Sequence, residues 1–305
     1  MPAALDLPSG LTHRALTLGD ASAVTAVMAA QELHDVGEVV IEEADIVADW
    51  QRPSYDVTQG SVGVFDGDVL VGYAEVSGGD RGDAAVHPDH RGRGIGTALA
   101  RWMRERAGER GTPLIGMPVP QGSAGDRLLE ALGYRVRWTS WVLSLPVGAS
   151  IPERPLPQGY ALREATGSDH EAVWTLNEDA FLEWSERERQ DFADWQASVT
   201  QRPGFAPWNL RVVTDPAGDV VALALVLLTE EGEAFVDRLA TRADQRGRGL
   251  AQALLVDAFD AGRERGALRS TLSTDSRTGA LGLYESVGMV VTSTWVNRAI
   301  ATSAT

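Results

Sequence analysis

The sequence predicts an α/β (α+β) chain of two tandem domains, each a mixed, mostly antiparallel sheet flanked by helices. Three observations carry this. The run Arg91-Gly-Arg-Gly-Ile-Gly96 returns 155 positions later as Arg246-Gly-Arg-Gly-Leu-Ala251. Each copy follows a strand pattern and opens a helical one. A stretch at 145–158, LPVGASIPERPLPQ, carries four prolines without strand alternation or helical period and reads as a linker.

The repeat covers both halves. Leu129-Glu-Ala-Leu-Gly-Tyr134 returns as Tyr284-Glu-Ser-Val-Gly-Met289, again at an offset of 155. Upstream, Arg14 to Asp20 resembles Arg163 to Asp169 at an offset of 149, and Ala48-Asp-Trp-Gln51 resembles Ala193-Asp-Trp-Gln196 at 145. The order of landmarks never changes, and the period is far too long for a solenoid. With 305 residues and one domain per ~150 residues, each half can bury its own core. The split falls near Ser150, giving domains 1–149 and 150–305.

Within each half the elements follow one order. A cap at Asp20 or Ser168 opens a first helix, in which Val24, Val27 and Met28 share a face. A polar, Trp-containing helical stretch comes next. Paired strands follow: Val62 to Phe65 and Val69 to Val76 about an Asp66-Gly67 turn, matched by Leu210 to Val213 and Val220 to Leu228 about Asp215 to Gly218. A further strand (Ala84 to Val86; Ala234 to Ala240) runs into the Arg/Gly loop. In the helix that the loop opens, Ile95, Ala98, Leu99, Trp102 and Met103 form one apolar face. A short strand (Leu114 to Met117; Ser270 to Ser273), a helix and a last strand close each half.

Composition removes several function classes. There is no Cys, which excludes disulfides and thiolate chemistry. Five scattered His residues give no metal-ligand spacing, so no metal is expected. A net charge of −16 opposes nucleic-acid binding and is compatible with a cationic partner. All 27 basic residues are Arg. The start, MPAALDLPSG, lacks the pattern of a secretory signal. The longest apolar run, Val220 to Leu228, is too short to span a bilayer. No membrane partner and a cytoplasmic location are expected.

An Arg-Gly-x-Gly loop between strand and helix has a physical use. Glycines admit a ligand close to the backbone, and the helix presents unpaired N–H groups and the positive end of its dipole. Together they suit a pyrophosphate, with Arg side chains adding charge-assisted contacts. A Walker A loop is excluded because it needs Lys. A dinucleotide fingerprint fails because Thr97 stands at the third glycine position.

Val86-His-Pro-Asp-His-Arg-Gly-Arg-Gly-Ile-Gly96 and Arg246-Gly-Arg-Gly-Leu-Ala251 resemble motif A, the Q/R-x-x-G-x-G/A signature of the GCN5-related N-acetyltransferases. Ala280 to Met289 resembles that family's A-x-x-L-Y-x-x-x-G-F segment. The resemblance spans nearly the whole chain, and the layout is similar to the tandem, mycothiol synthase type. It implies acetyl-coenzyme A as donor, a small-molecule amine as acceptor, a largely structural first half and a catalytic second half. The implied cofactor contacts in the second half are Leu239, Ala240 and Thr241 on the strand, Arg246, Gly247, Arg248, Gly249, Leu250 and Ala251 on the loop, and Ser276 and Arg277 downstream. In the first half they are Ala84, Ala85 and Val86 with Arg91, Gly92, Arg93, Gly94, Ile95 and Gly96. The family's acid is the Tyr of its L-Y segment, which is Tyr284 here, whereas the first half has Leu129. Leu cannot protonate a leaving thiolate.

Strand alternation puts Glu233, Phe235 and Asp237 on one face if no bulge intervenes, so either carboxylate can serve as base. The resemblance favours Glu233 over Asp237. Asp83 is the matching acid of the first half. The family often has Asn seven residues before the Tyr, where this chain has Arg277, a cofactor contact or one aimed at the acceptor. Trp50, Trp174, Trp184, Trp195 and Trp208 lie in segments that would wall the clefts, as packing or as an aromatic surface. Two other readings stand beside the small-molecule enzyme: an acyl-coenzyme A sensor with two degenerate sites, and a protein N-acetyltransferase.

Overall fold

The structure is a computed structural model that describes residues 5–302. The first four residues of the start read above as no signal lie outside the described residues. The chain divides into two compact units, Met1–Thr139 with Thr294–Thr305, and Ser140–Ser293. This differs from the expected split near Ser150, because each half gives up its last strand to the sheet of the other.

Unit one contains β1 (Leu11–Arg14), α1 (Ala21–Asp35), α2 (Glu43–Trp50), the single turn α3 (Val57–Gly60), β2 (Ser61–Asp66), β3 (Val69–Gly78), β4 (Arg81–Val86), α4 (Ile95–Glu109), β5 (Leu114–Pro120) and α5 (Ala124–Ala131). Next, β6 (Arg135–Ser144) runs into unit two. That unit adds β7 (Ala161–Glu164), α6 (His170–Leu182), α7 (Phe192–Ser198), β8 (Leu210–Thr214), β9 (Val220–Leu228), β10 (Glu233–Thr241), α8 (Leu250–Arg263), β11 (Arg269–Asp275) and α9 (Leu281–Ser286). The final strand, β12 (Val290–Ala301), runs back into unit one. The sheet of unit one has the order β1-β2-β3-β4-β5-β12, and that of unit two β6-β11-β10-β9-β8-β7. Pairing is antiparallel except for β4 with β5 and β10 with β11. The linker read from proline content contains no helix or strand. Among the described residues no helix is long and apolar enough to cross a membrane.

Chemistry fixes which strand closes which sheet. On β12, Arg298 is buried and meets Asp126 of α5 at 2.5 Å and Glu130 at 3.3 Å. One repeat away the same positions are Leu143 on β6 and Leu281 on α9, which belong to one apolar cluster in unit two. Placing Arg298 in the unit-two position would bury an unpaired charge, which is strongly disfavoured. Both strands also cover what would otherwise be an open sheet edge.

The helix starts correct one expectation. α6 begins at His170 after Asp169, and Ser168 sits in the preceding single turn. The carboxylates of Asp20 and Asp169 do not cap the helices they precede. Each accepts from the backbone N–H of a Thr (Thr17, Thr166) and pairs with an Arg (Arg14, Arg163). The Arg14 bond holds Asp20 down at about 2.

Unit one buries a carboxylate. Glu75 on β3 accepts from Trp50 Nε1 at 2.7 Å and from the Tyr55 hydroxyl at 3.3 Å. Burial, reinforced by the nearby Asp83, pushes it up to about 7. The folded chain therefore binds this proton more tightly than the unfolded chain, whose carboxyl titrates near the ordinary 4.5. The resulting stability is complete below that ordinary value and is lost as pH rises through about 7. In Glu75→Gln the melting temperature should lose the decline that the parent shows between about pH 5 and pH 8. Parallel profiles for the two proteins would refute this assignment.

Candidate functional site

In unit two, β10, α8, β11 and the end of α6 enclose a cavity of about 570 Å³. One wall is the end of β10 with the loop behind it: Leu239, Ala240, Thr241, Arg246, Gly247, Gly249, Leu250 and Ala251. All eight are expected cofactor contacts. The loop turns because Gly247 and Gly249 take φ of +76° and +84°, a region costly for residues with a Cβ. Gly249 is the N-cap of α8, so the unpaired N–H groups of its first turn face the loop. Arg248 is not in the cavity wall; its guanidinium lies 3.4 Å from the Tyr160 hydroxyl.

Tyr284 and Asp237 line the same cavity. The Tyr284 side chain is nearly buried, and burial pushes its hydroxyl up to about 12. The phenol thus stays protonated at neutral pH, and it has no hydrogen-bond partner among the described residues. Asp237 reaches the cavity through a β-bulge, since the β10–β9 register jumps between Val236 and Arg238. Before the bulge Ala234 and Val236 pack in one core cluster, and after it Leu239 joins that cluster while Ala240 packs in the other. Alternation therefore does not run through to Asp237, contrary to the simple strand reading.

Glu233 is elsewhere. It is buried at the start of β10, accepts from the Thr271 hydroxyl and lies 3.3 Å from Arg269. It does not line the cavity, so the structure brings Asp237 and Tyr284 together and leaves Glu233 out. Arg277 and Ser276 are also outside the wall. Arg277 pairs with Asp275 at 2.6 Å and lies over the Trp184 ring at 4.7 Å. Trp184 itself lines the cavity. Of the other tryptophans, Trp50 and Trp195 are core residues, while Trp174 and Trp208 are partly buried.

Two residues were not legible as site residues. Glu183, just past α6, grips Arg246 with two contacts of 2.7 Å. Asp275, on the cavity wall, holds Arg277. No motif marks either, because both are recognisable only once α6 and β11 face the loop.

Unit one repeats this frame with different contents. Arg91 is held by Asp35 of α1 at 2.7 and 2.9 Å, and Arg93 by Asp66 at 3.0 Å and His90 at 2.8 Å. Gly92 and Gly94 again take positive φ, Ile95 is buried, and a Cβ on Gly96 would lie 2.8 Å from Leu128. Ala84 and Ala85 pack in the core, and the N–H of Val86 donates to Gln31 Oε1 at 3.1 Å. At the offset of 149 the counterpart of Gln31 is Ala180, which lines the cavity of unit two. The position of Tyr284 is the buried Leu129. Asp83 is half-buried and accepts from the next backbone N–H, at Ala84.

The site can be tested for fit to a thioester cofactor. Thr241, at the end of β10, lines the cavity, and its Oγ1 is buried without a hydrogen-bond partner. Such an atom is costly unless a ligand satisfies it. With the open glycine loop and the helix N-terminus it suits a chain carrying amides and a pyrophosphate. Among the described residues no cluster of His, Asp and Glu could hold a metal.

Comparison with known proteins agrees. The family model described as acetyltransferase (GNAT) family matches residues 29–134 and 170–289. A curated relative named mycothiol acetyltransferase, from Salinispora arenicola, is 34% identical over 268 residues, covering 82% of this chain and 82% of its own. A protein of the same name from Thermobispora bispora is 29% identical, covering 74% and 78%. The crystal structure of a GCN5-related N-acetyltransferase from Sphaerobacter thermophilus superposes with a TM-score of 0.73 at 28% identity, covering 98% of both chains. A tandem GNAT protein from the clavulanic acid biosynthesis pathway matches in fold, with a TM-score of 0.72 at 17% identity and coverage of 97% and 99%.

Thr241→Val gives a direct check of the orphaned hydroxyl. Without ligand the melting temperature should stay level or rise, while affinity for acetyl-coenzyme A should fall about 5-fold, as for a lost hydrogen bond. Unchanged affinity would remove Thr241 from the cofactor site.

Proposed function

The chain belongs to the acetyltransferase (GNAT) family, and from that premise we propose that it acetylates a small-molecule amine in unit two. It is an acetyl-coenzyme A-dependent N-acetyltransferase. The observation that carries the finer reading is the meeting of Asp237, Tyr284 and the Arg/Gly loop around one cavity. The name of the curated relatives, mycothiol acetyltransferase, supports reading the acceptor as an amine of mycothiol chemistry. Trp184, Phe181 and Asp237 would then receive an amine-bearing molecule beside the loop.

When bound, acetyl-coenzyme A supplies an acetyl group as a thioester. The loop N–H groups and Arg246 would hold its pyrophosphate, and the end of β10 its amide-bearing arm. Arg246 must exchange its Glu183 partner, or share it, to do so. An amine is protonated at neutral pH, so Asp237 takes the proton, directly or through a water, and frees the nitrogen lone pair. The nitrogen forms the new bond to the acetyl carbon as the carbon–sulfur bond breaks. Tyr284 gives its proton to the departing sulfur. Burial that strengthens the hold of the phenol on its proton also raises the basicity of a thiolate released beside it, so the two remain matched. In unit one Leu129 has no proton to give, and we take that copy as non-catalytic.

Tyr284→Phe should lower turnover at least ~10-fold with acetyl-coenzyme A affinity unchanged, measured by free-thiol release. Asp237→Asn should lower kcat at least ~10-fold. Glu233→Gln should stay within about 2-fold of the parent, because a carboxylate outside the cavity cannot reach the amine proton. A large loss in Glu233→Gln together with an unaffected Asp237→Asn would reverse the assignment of the base.

A further inference from the structure

We infer that Arg154, in the stretch joining the two copies, is a ligand for a phosphate group of the cofactor in unit two. The inference rests on the reading that the pyrophosphate occupies the loop from Arg246 to Ala251. Arg154 lines the cavity, and its side chain lies along the loop glycine: a Cβ on Gly249 would sit 2.5 Å from Arg154 Cδ and 2.6 Å from Nε. The missing side chain of Gly249 is thus what lets Arg154 lie against the N-terminus of α8. Neighbouring contacts anchor it there. Ile151 is buried in the core of unit two, Leu156 packs on that core, and Gln252 Nε2 donates to the carbonyl of Pro152 at 2.6 Å.

Charge bookkeeping points to an anion. Two cationic side chains line this cavity, Arg154 and Arg246. Arg246 is neutralised by Glu183, whereas Arg154 has no carboxylate partner among the described residues. A guanidinium held at the positive end of a helix is repelled by the helix dipole and by its Arg neighbour. The arrangement becomes favourable when a phosphate sits among the three, and the planar guanidinium suits phosphate oxygens. Unit one lacks the device. At the offset of 149 its counterpart of Arg154 is Leu5, which packs on the apolar core.

The test is calorimetric binding of acetyl-coenzyme A and of its 3′-dephospho form to the full chain. Ala251→Glu places a carboxylate in the loop, at a position where helices tolerate acids, and the binding it removes defines the unit-two site. At that site Arg154→Ala should weaken acetyl-coenzyme A about 10-fold or more, as for a charged hydrogen bond, with no change in unliganded melting temperature. An equal loss with the dephospho form assigns Arg154 to the pyrophosphate, and a loss confined to the full cofactor assigns it to the 3′-phosphate. Both outcomes support a phosphate ligand. Parent-like affinity in Arg154→Ala, with Ala251→Glu deficient, would overturn the inference and leave the loop reading intact. Parent-like affinity in Ala251→Glu would overturn the loop reading and the inference with it.

Discussion

Unit two depends on one backbone constraint: a strand must turn into a helix within the loop from Arg246 to Gly249 while keeping the helix N-terminus open. Gly247 and Gly249 meet it by taking the left-handed region, which costs other residues roughly 1–2 kcal/mol each. The helix is then clamped to the strand at its far end, where Gly262 lets α8 approach so closely that a Cβ would stand 2.5 Å from Ala234 Cβ. With strand and helix fixed at both ends, the cavity wall is set before any ligand arrives. Thr241 and Arg246 are attached to that frame, and Arg154 from the joining stretch and Tyr284 on α9 line the same cavity.

The duplication kept the frame and changed what fills it. Trp50 and Trp195 occupy equivalent places, yet Trp50 donates to Glu75 while Trp195 Nε1 is buried without a partner. Pairing across the sheets explains it: Glu75 faces Asp83, and the corresponding pair in unit two is Leu225 with Arg238. Unit two thus carries an unsatisfied donor, at a cost of about 1–3 kcal/mol, and unit one carries a strained carboxylate instead. The same trade recurs at the cofactor loop. Unit one spends its strand-end N–H on Gln31, its Arg91 on Asp35 and its acid position on Leu129. Unit two leaves Thr241 Oγ1 buried without a partner and keeps Tyr284 in the cavity wall.

The repeat, the strands, the loop and Tyr284 were legible because each leaves a local mark: a spacing, an alternation, a glycine pair or a residue type. Strand exchange leaves none, since a strand pattern says which face is apolar but not which sheet edge it joins. The Arg298–Asp126 pair that decides the edge lies 172 positions apart in sequence. The bulge at Asp237 adds one residue to a strand and changes the face of everything beyond it, so alternation alone does not tell which carboxylate reaches the cavity. Arg277 stands at a family position that suggests a contact with cofactor or acceptor, but it pairs with Asp275 and lies over Trp184, outside the wall. Arg154 was hidden by its setting, a proline-rich stretch that reads as a spacer.

The central claim is that chemistry takes place where the loop, Asp237 and Tyr284 meet. A crystal structure of the full chain with coenzyme A tests it most directly. The account predicts the pyrophosphate on the loop of unit two and the cofactor sulfur within hydrogen-bond reach of the Tyr284 hydroxyl. A sulfur remote from Tyr284, or cofactor seated only on the loop from Arg91 to Gly96, would contradict it.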